Sequence, residues 1–273
     1  MISGERQPLH LDSGDPGESR AQALIWDPEV EAWLRQIDVE DGWQCVDLGC
    51  GSLGILEPLS RHSAPTGRVI GVEPRPILQQ AAAEFVRRSR LINVRLLDTP
   101  LHDTSLPDSS FQLVHARFVL SAGYDASRIL GEMLRLVRPG GIVAVEEPDP
   151  SAWSCYPDHP AWARLRDALR AAFAAAGADL DAGSGTFALL RDAGLQDVRI
   201  RPAAIALQGA HPQKGLLVDL ARLHRQRIVE TGSLSGPELD EALAACGRIA
   251  ADPETVVVSF LVTQVWGRRA KRR

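Results

Sequence analysis

Val46-Asp47-Leu48-Gly49-Cys50-Gly51-Ser52-Leu53-Gly54 is the stretch that decides how this chain folds. The apolar run 44–48 ends abruptly in three glycines spaced G-x-G-x-x-G, and residues 55–62 continue at helical spacing. A run without period-two alternation reads as a strand buried on both faces, and the glycines let the chain turn without a Cβ in the way. Alone, the pattern reads as a dinucleotide site, with backbone amides at a helix N-terminus against a pyrophosphate. Asp47, two residues before the first glycine, argues otherwise. A fixed carboxylate there repels a dianion and suits a ligand that presents an ammonium group. Glu73 closes the next apolar run, 68–73, just before Pro74. One ionised carboxylate can accept from both hydroxyls of a ribose, which either ligand class carries.

Outward from this loop the rhythm repeats. Helix is predicted over 77–89 and 126–137, and strand over 94–97, 111–115 and 142–145, the last after a turn at Pro139-Gly140-Gly141. Alternating strands and helices define an α/β fold, a doubly wound Rossmann-like and mostly parallel sheet. Upstream, a helix is expected over 21–37, with Asp27-Pro28 breaking it in two. Residues 1–20, rich in Gly, Ser, Asp and Pro, read as a mobile N-terminal arm. After Asp149 the spacing changes. Helices are expected over 160–176, 186–193, 212–231 and 236–251, and strands over 196–206 and 255–266. The helical pair between the last two strands, residues 207–253, reads as a cap on a single domain spanning 21–273.

Composition narrows the partners. The 273 residues carry a net charge of −5, with 45% hydrophobic and 24% charged residues, the balance of an ordinary globular protein. A broad positive field for nucleic acid is lacking, and the basic run 268–273 reads as a solvated chain end. No apolar run approaches the roughly 18 residues of a membrane span, and the first residues have no signal-peptide character. Cys45, Cys50, Cys155 and Cys246 show no paired spacing for zinc and read as reduced thiols of a cytoplasmic protein. No metal is expected. The oligomeric state stays open, a homodimer among the options.

Four motifs in order resemble those of one family. Val46-Asp47-Leu48-Gly49-Cys50-Gly51 looks like the first signature of class I S-adenosylmethionine-dependent methyltransferases, and Gly71-Val72-Glu73-Pro74 resembles their second, acidic motif. Residues 108–120 are similar to their fourth strand, and Leu136-Val137-Arg138-Pro139-Gly140-Gly141 to the turn into their fifth. The resemblance implies a seven-stranded sheet with a reversed C-terminal hairpin, over residues from about 21 to 267. It implies S-adenosyl-L-methionine as cofactor and a small-molecule acceptor, methylated on O, N or C, with secondary metabolism among the settings. Asp47, Gly49, Cys50 and Gly51 would cradle the methionine part and Glu73 the ribose. Pro74 would flank the adenine, with Asp98 and Thr99 beside it and His115 and Arg117 at the end of the fourth strand. The family usually has glycine where Leu53 stands, and a polar residue near Ala122.

Ligands bind in such sheets beyond the carboxyl ends of the strands. That position makes His115, Glu147 and Asp149 candidates for a general base, should the acceptor need to lose a proton. A packed strand histidine and a solvated strand end are the plain alternatives. Trp153 and Tyr156, in the irregular aromatic stretch 153–162, and His211 in the cap are candidate acceptor contacts. Three other readings stay open: a methyltransferase-like enzyme that does not methylate, such as a cyclase; an NAD-dependent oxidoreductase; and a non-catalytic binding module that keeps the fold for assembly.

Overall fold

The computed structural model describes residues 25–271. The expected arm, residues 1–20, and the predicted helical residues 21–24 lie outside the described residues.

The described chain opens on α1 (Asp27–Ile37), β1 (Gln44–Leu48), α2 (Leu56–Ser63), β2 (Arg68–Val72), α3 (Pro76–Arg88) and β3 (Val94–Leu97). It continues with β4 (Phe111–Arg117), α4 (Ala126–Leu136) and β5 (Val137–Asp149). Then come β6 (Ser154–Tyr156), α5 (Pro160–Ala175), α6 (Ala182–Asp192), β7 (Gln196–Ala203) and β8 (Ala206–Leu207). The last elements are α7 (Leu216–Leu223), α8 (Arg225–Glu230), α9 (Gly236–Ala251), β9 (Val256–Val258) and β10 (Leu261–Arg268).

Seven strands form one sheet in the order β3-β2-β1-β4-β5-β10-β7. The first five are parallel, and β10 runs antiparallel between β5 and β7. This is the doubly wound sheet with its reversed C-terminal pair. Strand order reverses between β1 and β4, so a crevice opens at their carboxyl ends, where the glycine loop leaves β1.

Both faces of the sheet are covered, which is why its strands read as continuous apolar runs. Val30, Trp33 and Leu34 of α1 and Leu56 and Leu59 of α2 pack with Cys45, Leu113, Ala144 and Trp266 on one face. Ile129 and Met133 of α4 and Leu190 of α6 pack with Val46, Leu48, Val114 and Val145 on the other. A third core lies at the carboxyl end of β5. There α5, α7 and α9 pack on one another beside a small sheet, β6-β9-β8. Residues 207–253 thus share their core with α5 and Trp153, upstream of the predicted cap.

Three local predictions are corrected. Asp27-Pro28 starts α1 rather than breaking it: proline is tolerated in a first turn, and Asp27 and Glu29 complement the helix dipole there. Pro139-Gly140-Gly141 does not separate β5 from its helix but lies inside β5. The pairing with β4 slips there, from Phe111 opposite Val137 to Leu113 opposite Ile142, with Gly140 at φ 79°. The predicted strand 255–266 divides at Ser259. The amide of Ser259 donates to the Ile205 carbonyl at 2.9 Å, and the Ile205 amide donates to Ser259 Oγ at 2.9 Å. Its first half therefore joins the small sheet and only the second enters the large one.

Candidate functional site

The loop after β1 is held from within. Gly49 and Cys50 donate their amides to the Val72 carbonyl at 2.8 and 3.1 Å. Gly51 donates to Glu73 Oε2 at 2.9 Å, and Ile55 donates to Asp47 Oδ2 at 3.2 Å. These four amides are committed to the protein and form no anion cradle of the kind a pyrophosphate needs. Gly51 has φ 58°, and a Cβ there would meet no described atom within 4 Å, so the loop's outer side is open to a ligand. Gly54 has φ 48°, and a Cβ there would strike Asp47 Oδ2, so this glycine protects the carboxylate's seat.

Asp47 and Glu73 are each 1% exposed. Asp47 Oδ1 accepts from His115 Nδ1 at 2.7 Å. Glu73 takes four donors: the Gly51 amide, the Arg75 amide and Arg75 Nε at 2.9 Å each, and a terminal Arg75 nitrogen at 3.2 Å. A carboxylate offers about four lone-pair positions, so Glu73 is saturated while Asp47 keeps capacity. Tyr124 shares this end of the site. Burial pushes its phenol up, against the charge of Arg75 and with that of Glu73.

The remaining cofactor candidates spread along the same edge. Pro74 is half-buried and Asp98 is exposed at the end of β3. Thr99 Oγ1 is buried without a hydrogen-bond partner among the described residues. An orphaned buried hydroxyl is uncommon and calls for a partner, a water or a ligand's polar atom. Cys50 is buried, and burial, reinforced by Asp47 and Glu73, holds its thiol well above the usual range. It serves the loop through its backbone. Arg117 lies 4.9 Å over the ring of Phe118.

The candidate bases are placed differently from expectation. His115 is fully buried between Asp47 and Glu146, with Nε2 at 3.3 Å from Glu146 Oε1. Burial alone would lower its pKa, but the charge and hydrogen bond of Asp47, with those of Glu146, raise it to about 9. Two carboxylates thus favour the imidazolium, and both ring nitrogens are engaged. It has neither the lone pair nor the exposure of a base. Glu147 is also fully buried. It accepts the amides of Val119, Leu120 and Ser121 at 3.1, 2.8 and 3.1 Å, pinning the turn after β4. Burial pushes its pKa up to about 7 despite those donors. Asp149 accepts the Ser151 amide at 2.8 Å and caps the turn after β5.

On the acceptor side, Trp153 is buried in an aromatic cluster centred on Phe260. The ring of Phe260 lies 5.4 Å from Trp153, 5.7 Å from Trp26 and 5.9 Å from Phe118. Tyr156 is 58% exposed on β6. His211 caps a turn by accepting the Gln213 amide at 3.2 Å. The three predicted acceptor contacts thus have separate roles. Sequence reasoning missed Arg75, Phe260 and Gln264. Gln264 had a readable signal, a lone amide in the apolar run Leu261-Val262-Thr263-Gln264-Val265-Trp266. Among the described residues no group of three His, Cys, Asp or Glu side chains is placed to hold a metal ion.

A doubly wound sheet, a glycine loop with committed amides and two buried carboxylates closing neighbouring strands define the class. A family model described as a methyltransferase domain matches residues 46–145. A demethylmenaquinone methyltransferase of Geobacillus sp. (strain WCH70) is 29% identical over 143 residues, 52% of this chain and 60% of that protein. Nocamycin O-methyltransferase of Saccharothrix syringae is 30% identical over 125 residues, 45% of this chain and 44% of its own length. The chain thus spans at most about three-fifths of these curated relatives. The crystal structure of phosphoethanolamine N-methyltransferase 2 of Haemonchus contortus, with phosphomonomethylethanolamine and S-adenosylhomocysteine, has the same fold. It matches with a TM-score of 0.58 at 13% identity, covering 94% of this chain and 58% of that one. Residues 46–145 thus match a methyltransferase domain, and the chain shares its fold with a methyltransferase of known structure.

Proposed function

We propose that this protein transfers a methyl group from S-adenosylmethionine to a small-molecule acceptor. The observation that carries the reading is the loop's commitment of its amides to Val72 and Glu73 while Asp47 keeps accepting capacity. Such a loop suits an ammonium and disfavours a pyrophosphate, which separates this site from a dinucleotide site of the same letter pattern. Asp47 holds the ammonium, the backbone of Gly49, Cys50 and Gly51 lies under the methionine part, and Glu73 takes the ribose hydroxyls. Thr99 Oγ1 and Pro74 serve the adenine end, with Asp98 at its exposed rim.

Bound there, S-adenosylmethionine supplies a methyl group on a sulfonium, already activated for displacement. The chain's own part is to orient the acceptor in line with that methyl and to keep water out. With both His115 nitrogens engaged and Glu147 tied to three amides, neither serves as a base. Asp149, partly exposed at the end of β5, remains the candidate base, and a free amine or an ionised phenol would need none. Of the aromatic cluster, Trp26, Trp153 and Phe260 are buried in the core, and the partly buried Phe118 at the end of β4 is the ring placed to meet an apolar acceptor. No helix among the described residues is long and apolar enough to cross a membrane.

The test is calorimetric titration with S-adenosylmethionine, S-adenosylhomocysteine and NAD, alongside Glu73→Ala. The expected result is micromolar binding of the first two, lost in the variant, with no binding of NAD. Binding of NAD alone would overturn the reading. Release of S-adenosylhomocysteine with an apolar acceptor panel then separates methyl transfer from a non-methylating use of the same site.

A further inference from the structure

Asp47 is one end of a hydrogen-bonded chain that crosses the sheet. His115 donates from Nδ1 to Asp47 Oδ1 at 2.7 Å and from Nε2 to Glu146 Oε1 at 3.3 Å. Gln264 donates from Nε2 to Glu146 Oε2 at 2.9 Å and accepts at Oε1 from an Arg201 guanidinium nitrogen at 2.5 Å. Arg201 also pairs with the Glu29 carboxylate of α1. Sheet register produces this alignment. Asp47 lies opposite His115 on β1 and β4, Glu146 opposite Gln264 on β5 and β10, and Gln264 opposite Arg201 on β7. Five strands are threaded, about 19 Å at the usual ~4.8 Å spacing.

The four inner members, Asp47, His115, Glu146 and Gln264, are at most 1% exposed. Buried polar groups of this kind are costly unless every one is satisfied, and a satisfied network fixes a single arrangement. Here the amide of Gln264 is orientated by both neighbours, so each link constrains the next. Helix α1 touches the chain twice, through Glu29 on Arg201 and through the ring of Trp33, 5.6 Å from that of His115.

We infer that Gln264, Arg201 and Glu29 are positioning residues for Asp47, acting through Glu146 and His115 and tying the cofactor-loop carboxylate to the seat of α1 at the far edge of the sheet. This rests on the reading of Asp47 as the ammonium acceptor. A packing role alone would leave the loop indifferent to Arg201, which is four strands away. The charged groups facing His115 are Asp47 from β1 and Glu146 from β5, with Trp33 covering it from α1; Arg117 acts on Glu146.

The experiment uses the whole chain and the variants Gln264→Met, Arg201→Met and Glu146→Gln, with thermal melting to establish that each folds. S-Adenosylhomocysteine is titrated between pH 6 and 10, and the His115 ring is titrated by NMR in histidine-labelled protein, assigned with His115→Asn. Expected are a three- to tenfold loss of affinity in Arg201→Met and a larger loss in Gln264→Met. In Glu146→Gln the His115 titration falls by a unit or more, and the alkaline break in affinity falls with it. The ligand's own ammonium titrates identically in both proteins and cancels in that comparison. If Gln264→Met does not fold, Arg201→Met at the partly exposed edge decides. Wild-type affinity in Arg201→Met, with a His115 titration unmoved in Glu146→Gln, would overturn the inference.

Should the wild-type protein bind no S-adenosylhomocysteine, the functional reading fails but the chain stays testable. Faster hydrogen exchange of the Ile55 amide, which donates to Asp47, in Arg201→Met would support the positioning role, and unchanged exchange would overturn it.

Discussion

Asp47 and Glu73 are both carboxylates at the ends of neighbouring parallel strands and both are 1% exposed, yet they are held from opposite sides. The partners of Asp47 belong to the core: a histidine ring that is itself buried and an amide at the mouth of α2. The main side-chain partner of Glu73 is Arg75, whose side chain is 29% exposed. On the proposed reading, Asp47 keeps lone-pair positions for an ammonium, whereas a ribose at Glu73 has to displace the guanidinium. One carboxylate is built into the frame and the other carries an exchangeable counter-charge.

Substitution should separate the two most sharply in stability. Asp47→Asn leaves His115 and its charge buried beside a neutral amide, and breaking such a buried pair costs about 3–5 kcal/mol. Glu73→Gln loosens the hold on the partly exposed Arg75 and should cost about 1 kcal/mol, close to the range of exposed pairs. Both variants should lose cofactor affinity by about a hundredfold or more, roughly 2.7 kcal/mol. Calorimetry paired with chemical denaturation reads both quantities. Equal destabilisation of the two variants would erase the distinction.

A pH scan probes the same contrast without mutation. The pKa of His115 is raised from 6.5 to about 9, so its contribution is fully present below the unfolded value and is lost as pH rises through the folded one. Glu147, raised from 4.5 to about 7, loses its contribution at lower pH. The buried thiol of Cys45, raised from 9.0 to about 12, acts at higher pH. Between about pH 8 and 9, stability should therefore fall by about 1 kcal/mol, or roughly 2–4 °C in melting temperature. Asp47→Asn should flatten that slope, because Asp47 is the main source of the rise, and Glu73→Gln should leave it intact. Differential scanning fluorimetry across this window is the measurement.

The frame was legible because its signals are local. The strands 44–48 and 94–97 coincide with their predicted bounds, since an apolar run bounded by turn residues carries that information in place. The glycine loop and Glu73 were legible for the same reason. The partners of His115 were not, because Asp47 and Glu146 lie 68 and 31 residues away and meet it only through strand register. The sequence reads His115 as a base or a packed histidine, and strand register buries it between Asp47 and Glu146. Arg75 was missed although it is two residues from Glu73. Proximity alone does not say whether an arginine turns back on its neighbour or faces solvent.

Arg75 gives the smallest and most direct test of exchangeability. Four donors fill Glu73, three of them from Arg75, and two of those from its side chain. Arg75→Met removes the two side-chain donors and keeps the backbone amide, so lone-pair positions open for the ribose without disturbing the loop's own bond from Gly51. Because the pair is partly exposed, its worth is small, about 0.5–1 kcal/mol. Affinity for S-adenosylhomocysteine should rise roughly two- to fivefold, the equivalent of that energy. Its enthalpy should become more favourable, since no ion pair is broken on binding. A weakened affinity would mean instead that Arg75 stays at the site and contacts the ligand, which would make the counter-charge of Glu73 as fixed as that of Asp47.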